Sequence, residues 1–243
     1  MLGLGNSISH AGSRAFSPTD ISGLQLWLEN GIGITSSSDP AAIDTWADSS
    51  GNGNDAGHAA DQYRPLLVDG GGDWFGDTDA DALSLDSTIT VNQFHVFMVV
   101  AADAHSTNSL LVGNNTTDFL RIGQGGSSTL HRLKANNQFT TPAQWTATTA
   151  IATDGTKQLL EYEAGSGSTN NCFLRINGNL ESTISFDTSA NAFDIDFVGA
   201  ASATGTSSFD GNIYEVLIYN SALSSDNAAL IRDYINSKLN IYS

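Results

Sequence analysis

A glycine-rich loop near the start of the chain carries oxygen atoms of the kind that a hard cation needs. Residues 48–55 place Asp48, Asn52, Asn54 and Asp55 among glycines and serines. Calcium takes about six to eight oxygen ligands, and a bent loop can direct several of them at one ion. The same side chains also cap the backbone of their own turns. The loop therefore predicts either a calcium site or a self-capped turn.

One pair of glutamates has a spacing that glycoside hydrolysis could use. Glu161 and Glu163 alternate along an apolar segment, so on a strand both face the same side. Two carboxylates that flank a glycosidic bond can serve as acid and base, or as acid and nucleophile. No third acid follows at the next alternate position, and neither a G-x-S-x-G elbow nor a phosphate-binding loop is present. We interpret the pair as a solvated face and expect no enzymatic activity and no catalytic residues.

Aromatic side chains provide the other chemistry to consider, because their rings can stack on sugars. Trp27 and Trp46 lie in strand-like segments and are predicted to belong to the core. Trp145, in the segment TPAQWTAT, is predicted to lie in a loop and is the candidate ligand-binding residue. The five histidines show no metal-binding spacing along the sequence.

The composition limits the possible partners. The 243 residues carry 26 carboxylates against 9 lysines and arginines, a net charge of -17. Such a chain cannot neutralise a phosphate backbone, so nucleic acid is excluded as a partner, and anionic membranes are disfavoured. The single cysteine, Cys172, excludes an intramolecular disulfide and a thiolate zinc site. The N-terminus resembles no signal peptide, so we expect a protein made in the cytoplasm.

Short apolar segments with strand character recur from Gly23 onward. They include a continuous apolar run at 94–101, which predicts a strand buried on both faces. Asn177-Gly178 predicts a tight hairpin, because both central residues of a type I′ turn have positive φ. A single helix is predicted over 224–238, with Ser224 as N-cap. The predicted fold is all-β, a two-sheet antiparallel sandwich of the jelly-roll type with one C-terminal helix.

Residues 1–22 are predicted to form an N-terminal arm that precedes the sandwich domain at 23–243. The arm is rich in glycine and serine, and its apolar residues are Leu2, Leu4, Ile8 and Phe16. Such a segment gains little from its own propensity, so it would be ordered by packing on the domain or on a neighbouring subunit. We therefore treat these four apolar residues as a candidate assembly device.

Three segments of the sequence carry a family resemblance. LQLWLENGIG at 24–33 with WADSSGNGNDA at 46–56, DWFGDTDADALSL at 73–85, and the closing segment 209–241 resemble, in this order, the laminin-G-like domains of the concanavalin-A-like lectin/glucanase superfamily. The resemblance covers nearly the whole chain and implies two packed antiparallel sheets with a concave face. It is nearest to the copies of this domain in structural proteins of tailed phages.

The resemblance also has implications for ligands and function. Many relatives hold a structural calcium between the glycine-rich loop and an acid of the closing strand, which here implies Asp48, Asn54 and Glu215. It further implies a virion protein, made in the host cytoplasm and displayed on capsid or tail as a decoration, cement or adhesion component. Its partners would be other virion proteins, copies of itself or host-surface glycans. The alternative is a lectin-like carbohydrate-binding module of a secreted or surface protein.

Overall fold

The structure is a computed structural model. It describes residues 14–36, 41–74, 81–103, 109–114, 117–123, 129–134, 145–165, 172–184 and 192–243. Leu2, Leu4 and Ile8 of the predicted arm lie outside these residues. The strands, in chain order, are β1 Leu24–Leu28, β2 Ile34–Ser36, β3 Ile43–Trp46, β4 Ala56–Gly57, β5 Leu66–Val68, β6 Gly71–Trp74, β7 Leu83–Val91, β8 Phe94–Ala102, β9 Ser109–Gly113, β10 Phe119–Ile122, β11 Leu130–Lys134, β12 Trp145–Ala150, β13 Gln158–Ala164, β14 Cys172–Ile176, β15 Asn179–Ile184, β16 Phe193–Val198 and β17 Gly211–Tyr219. The helix α1 spans Ser225–Leu239.

The strands form two antiparallel sheets, which confirms the predicted sandwich. Sheet A has the order β15-β14-β13-β8-β17-β6-β5, and β1 also pairs with β17. Sheet B has the order β12-β11-β10-β9-β16-β7-β4-β3-β2. Between the sheets lies an apolar core to which both contribute alternate side chains, among them Trp46, Trp74, Leu120, Phe193 and Met98. This alternation is what a sheet with one face on a core requires.

The outer face of sheet A is covered by the helix. Ala228, Ile231 and Ile235 of α1 are buried against outward side chains of β8 and β17, such as Phe97 and Leu217. Strand β8 is therefore buried on both faces, as its continuous apolar run predicts. No helix among the described residues is long and apolar enough to cross a membrane.

The local signals for the helix and the hairpin are confirmed. The Ser224 hydroxyl accepts a hydrogen bond from the Asn227 N–H at 3.2 Å, so it caps a helix that starts within one residue of its predicted position. Asn177 and Gly178 have φ values of 52° and 79° and join β14 to β15. Both residues thus adopt the left-handed backbone that this turn needs.

The predicted position of Trp145 is wrong. Trp145 does not lie in a loop but begins β12, the edge strand of sheet B, where it pairs with Leu133 of β11. The segment WTATTA is rich in threonine, and β-branched residues favour a strand. The proline and glutamine before it gave the segment the composition of a turn.

Candidate functional site

The outer face of sheet B differs from that of sheet A. No described helix covers it, and a row of outward residues in register runs across eight of its strands. The row consists of Thr35, Thr45, Gly57, Ser84, Phe197, Gly113, Phe119 and Lys134. Several of these side chains are small or polar, so parts of this face can admit a ligand close to the backbone.

A cleft of about 410 Å³ opens on this face where β3, β4 and β7 lie side by side. We call it the sheet-B cleft. Its walls carry the carboxylates of Asp44 and Asp86, the imidazole of His58 and the guanidinium of Arg64. The remaining lining consists of small or uncharged residues, namely Thr45, Gly57, Ala59, Ser84 and Leu85. The volume is within the range of about 300–1,000 Å³ that is common for small-molecule sites.

Arg64 fixes the wall of the sheet-B cleft. Its Nε donates to the His58 carbonyl at 2.7 Å, and one terminal nitrogen donates to the Ala59 carbonyl at 3.0 Å. The other terminal nitrogen forms salt bridges with Asp44, at 2.5 Å, and with Asp61. The planar guanidinium suits such a fork of contacts. These contacts hold the segment 57–64 against β3 in the absence of a ligand.

His58 connects the same wall to a second loop. Its Nδ1 accepts a hydrogen bond from the Ala60 N–H at 3.1 Å, so Nε2 carries the proton and donates to the Ala203 carbonyl at 2.7 Å. The ring also stacks edge to face with Tyr63, with centroids 5.1 Å apart. These cleft residues could not be recognised from the sequence, because they come from separate segments of the chain. The polar pair Asp44 and Thr45, which stands between the core residues Ile43 and Trp46 of β3, was the one signal in the sequence for an outward acid.

The glycine-rich loop at 48–55 is a self-capped turn. The Asp48 carboxylate accepts hydrogen bonds from the backbone N–H groups of Trp27, Ser50 and Asn54 and from the Ser50 hydroxyl, at 2.7–3.1 Å. The Asn54 amide donates to the Gln25 carbonyl at 2.9 Å. Of the two interpretations that the sequence allows, this geometry matches the turn. Because protein donors occupy the Asp48 oxygens, the residues present do not favour a calcium ion.

Glu215, the third implied calcium ligand, is buried in sheet A and engaged by other groups. It accepts a hydrogen bond from Trp27 Nε1 at 2.9 Å, and Lys238 Nζ of the helix lies 3.2 Å from its other oxygen. Burial raises the pKa of Glu215, and Lys238 and Trp27 offset only part of that effect. Lys238 also contacts Glu29 at 3.1 Å. These contacts hold the helix on the sheet, and calcium at this position stays a prediction.

The interpretation of Glu161 and Glu163 as a solvated face is wrong for Glu161, which is fully buried. Helix α1 covers it, and Arg232 of the helix lies 3.0 Å from its carboxylate. His95 accepts a hydrogen bond from the Leu223 N–H at its Nδ1, so its Nε2 donates to Glu161 at 2.8 Å. One ligand atom each of His95, Glu161 and Glu163 lies within 4.8 Å of the others, a spacing that a metal ion could bridge.

The charges around Glu161 do not suit a metal ion or a general acid. Arg175 lies 3.2 Å from Glu163 and 3.5 Å from Glu161, so two guanidiniums already neutralise the pair. Burial acts to raise the pKa of Glu161, but the hydrogen bond from His95 and the charges of both arginines outweigh it, and the pKa is lowered. A general acid of a glycosidase needs the opposite shift. The cluster is an ionic contact between sheet A and the helix.

Of the four apolar residues named in the predicted arm, Phe16 is the one that the structure describes. Its ring packs edge to face on Tyr234 of helix α1, with centroids 6.2 Å apart. The next residues continue this packing, because the Tyr219 hydroxyl donates to the Pro18 carbonyl at 3.0 Å and Ile21 is buried in the same cluster. Residues 16–21 therefore lie on sheet A of their own chain.

No model of a protein family matches the sequence, and no curated protein matches it. Solved structures do match the fold. Sialidase of Trypanosoma rangeli, solved with sialic acid, is 15% identical with a TM-score of 0.56, and the match covers 90% of this chain and 34% of the sialidase. The chain thus spans about a third of that protein.

A second solved structure matches over almost its full length. It is domain 4 of AbnA, an extracellular GH43 arabinanase from Geobacillus stearothermophilus, solved with arabinotriose. Its identity is 18% and its TM-score 0.51, and the match covers 85% of this chain and 97% of that domain. At these identities the likeness is one of fold. The chain therefore has the sandwich fold that these carbohydrate-associated proteins contain, as the resemblance to concanavalin-like lectins implies.

Proposed function

We propose that the chain is a non-catalytic carbohydrate-binding domain whose ligand occupies the sheet-B cleft. The observation that carries the proposal is the lining of the cleft, where carboxylates, an imidazole and hydroxyls converge around a floor of small residues. A sugar hydroxyl both donates and accepts hydrogen bonds. Asp44 and Asp86 can accept them, and Thr45 and Ser84 can do both. The groups that Arg64 holds in place need little reordering when a ligand binds.

The comparisons support the same class of function. Domain 4 of AbnA, which this chain matches over 97% of its length, was solved with arabinotriose. Absence of catalysis is part of the proposal, and the environment of Glu161 and Glu163 supports it. Helix α1 covers Glu161, and the lowered pKa of Glu161 keeps its carboxyl group ionised.

Binding of arabinotriose and of neutral polysaccharides tests the proposal. We expect retention on at least one such glycan in affinity electrophoresis, with the affinity then measured by calorimetry. Ser84→Phe fills the cleft from an outward position of β7 and is expected to weaken binding at least about tenfold, which is about 1.4 kcal/mol. Thr183→Phe adds the same ring to the exposed edge strand of sheet A and serves as the matched control. Loss of binding in both variants or in neither would contradict the cleft as the site.

The place of the domain in a tailed-phage particle is the second proposal, and it rests on the sequence resemblance. Phe16 packs on its own helix, so an assembly role for the arm depends on Leu2, Leu4 and Ile8. A glycan-binding sandwich is compatible with adhesion at a host surface. Cosedimentation of the full chain with purified particles, compared with a chain that lacks residues 1–13, is the test. We expect the shortened chain to stay folded and to lose incorporation, and equal incorporation would contradict the arm as the anchor.

A further inference from the structure

A second cleft opens at one end of the sandwich, where the turn from β7 to β8 meets the segment that follows β17. We call it the end cleft. Its volume is about 400 Å³, close to the 410 Å³ of the sheet-B cleft. Its lining consists of Thr90, Val91, Asn92, Gln93, Asn220 and Ser221. None of these side chains is charged at neutral pH, although the chain as a whole has a net charge of -17.

The backbone on both sides of the end cleft is held in place. The turn at 92–93 has buried residues on either side, because Val91 ends β7 and Phe94 begins β8 in the core between the sheets. On the opposite wall, the Asn220 N–H donates to the Gly23 carbonyl at 2.9 Å. A cleft with such fixed walls needs little reordering when a ligand binds.

The polar side chains of the end cleft are available to a ligand. Those that make no side-chain hydrogen bond to a described residue are Asn92, Gln93, Asn220 and Ser221. Each amide carries two N–H donors and a carbonyl acceptor, and the serine hydroxyl can both donate and accept. Gln93 is also not a residue that turns favour, so the turn itself does not account for its presence.

The chemistry of the end cleft selects an uncharged ligand. An anion would find no cation in the lining, and a cation would find no carboxylate. Asp194 of β16 lies beside the cleft, but its carboxylate already accepts a hydrogen bond from the Thr90 hydroxyl at 2.7 Å. Sugar hydroxyls donate and accept hydrogen bonds as amides do, so three amides can bind several neighbouring hydroxyls of a neutral sugar.

Strand β7 connects the end cleft with the sheet-B cleft. Ser84 and Asp86 line the sheet-B cleft, and Thr90 lines the end cleft. These residues alternate with the core residues Leu83, Ile89 and Val91, so they share the outward face of the strand. From Ser84 to Thr90 the strand covers at most about 20 Å, at about 3.3 Å per residue. An extended ligand on this face can therefore reach both clefts.

We propose that the end cleft is a second saccharide site, and that one neutral polysaccharide chain occupies both clefts along β7. This inference rests on the proposed carbohydrate-binding function and adds its ligand class, an uncharged glycan long enough to span about 20 Å. Asn92 and Gln93 supply the contacts of the turn, and Asn220 those of the opposite wall. Contact at two linked positions raises the affinity for a long chain above that for a short saccharide.

The test compares short and long forms of two neutral glycans on the full chain by calorimetry. The pairs are arabinotriose with linear arabinan, and laminaritriose with laminarin. We expect the long form of at least one pair to bind at least about tenfold more tightly than its trisaccharide. The double variant Asn92→Ala/Gln93→Ala is expected to lose most of this gain and to keep trisaccharide binding in the sheet-B cleft. Asn179→Ala removes an exposed amide from β15 of sheet A and should behave as the wild type.

The outcomes separate this inference from the proposed function. Asn92 and Gln93 are at least partly exposed and have no positive φ, so the melting temperature of the double variant should equal that of the wild type. If Ser84→Phe abolishes trisaccharide binding while the double variant keeps the whole gain for the long chain, the inference is overturned and the proposed function stands. Equal affinity of the wild type for short and long forms, or an equal loss in Asn179→Ala, also overturns the inference alone. If neither glycan binds in either form, both are overturned.

Discussion

A buried histidine in the core gives the clearest quantitative prediction. His131 of β11 points between the two sheets and is fully buried. Its Nδ1 lies 2.5 Å from the Tyr162 hydroxyl, and its Nε2 has no partner among the described residues. Burial lowers the pKa of His131 to about 3. The imidazole is therefore neutral in the folded chain over the whole physiological range of pH.

The size of the effect follows from proton linkage. A histidine in the unfolded chain titrates near pH 6.5, so between about pH 6.5 and 3 the unfolded state binds a proton that the folded state refuses. The stability that this group contributes is present above pH 6.5 and is lost as the pH falls toward 3. Between about pH 7 and pH 4 the loss amounts to about 3 kcal/mol of unfolding free energy. That is a large part of the stability of an ordinary domain.

Urea unfolding at several pH values, followed by tryptophan fluorescence, measures this loss. The double variant His131→Leu/Tyr162→Phe replaces both partners with apolar groups, so no buried polar atom of the pair is left without a partner. We expect its unfolding free energy to fall by about 3 kcal/mol less than that of the wild type over the same pH range. Other groups titrate in both proteins and cancel in the comparison.

Thr183→Ala is the matched control, since it changes an exposed residue of β15 that does not titrate. It should show the same fall in unfolding free energy as the wild type. The reasoning about His131 would be refuted by an equal acid sensitivity of the double variant and the wild type.

Two further predictions concern the charged groups of the glycine-rich loop and of sheet A. Millimolar calcium and EDTA are expected to leave the melting temperature unchanged, because the carboxylates of Asp48 and Glu215 already accept hydrogen bonds from protein groups. A rise of the melting temperature with calcium that disappears in Asp48→Asn would instead support the calcium site implied by the sequence. Glu161→Gln is expected to lower the unfolding free energy by about 2 kcal/mol, since Arg232 and Arg175 lose their buried partner but remain partly exposed. Glu181→Gln on β15 should change it little, and β-glucan hydrolysis should stay at the level of buffer in the wild type and both variants.

Secondary-structure elements that are determined by residues close together in the sequence could be predicted from it. The Asn177-Gly178 hairpin, the helix after Ser224 and the strand β8 follow from turn chemistry, capping and an apolar run, all of which act over a few residues. Trp145 shows the limit of this approach. Its strand is defined by pairing with β11 at the sheet edge, and that pairing outweighs the turn-like composition of the residues before it.

The candidate site is formed by contacts between residues that are far apart in the sequence, so no local pattern predicts it. The residues next to Glu161 in the sequence predict that it lies at the surface. In the fold it is covered by helix α1, and Arg232 of that helix, 71 positions later, contacts its carboxylate. The sheet-B cleft joins residues of β3, β7 and the loop after β4, so no single segment contains its pattern.

The position of β17 has a consequence for the order in which the chain can fold. This strand lies in the middle of sheet A, between β8 on one side and β6 and β1 on the other. During synthesis the fully buried β8 therefore lacks one of its two neighbouring strands until β17 is made, more than a hundred residues later. Until Gly211–Tyr219 leaves the ribosome, sheet A exists as two halves with unpaired edges, the state in which β proteins aggregate. A chain interrupted before β17 should accordingly be a target for chaperones and proteases.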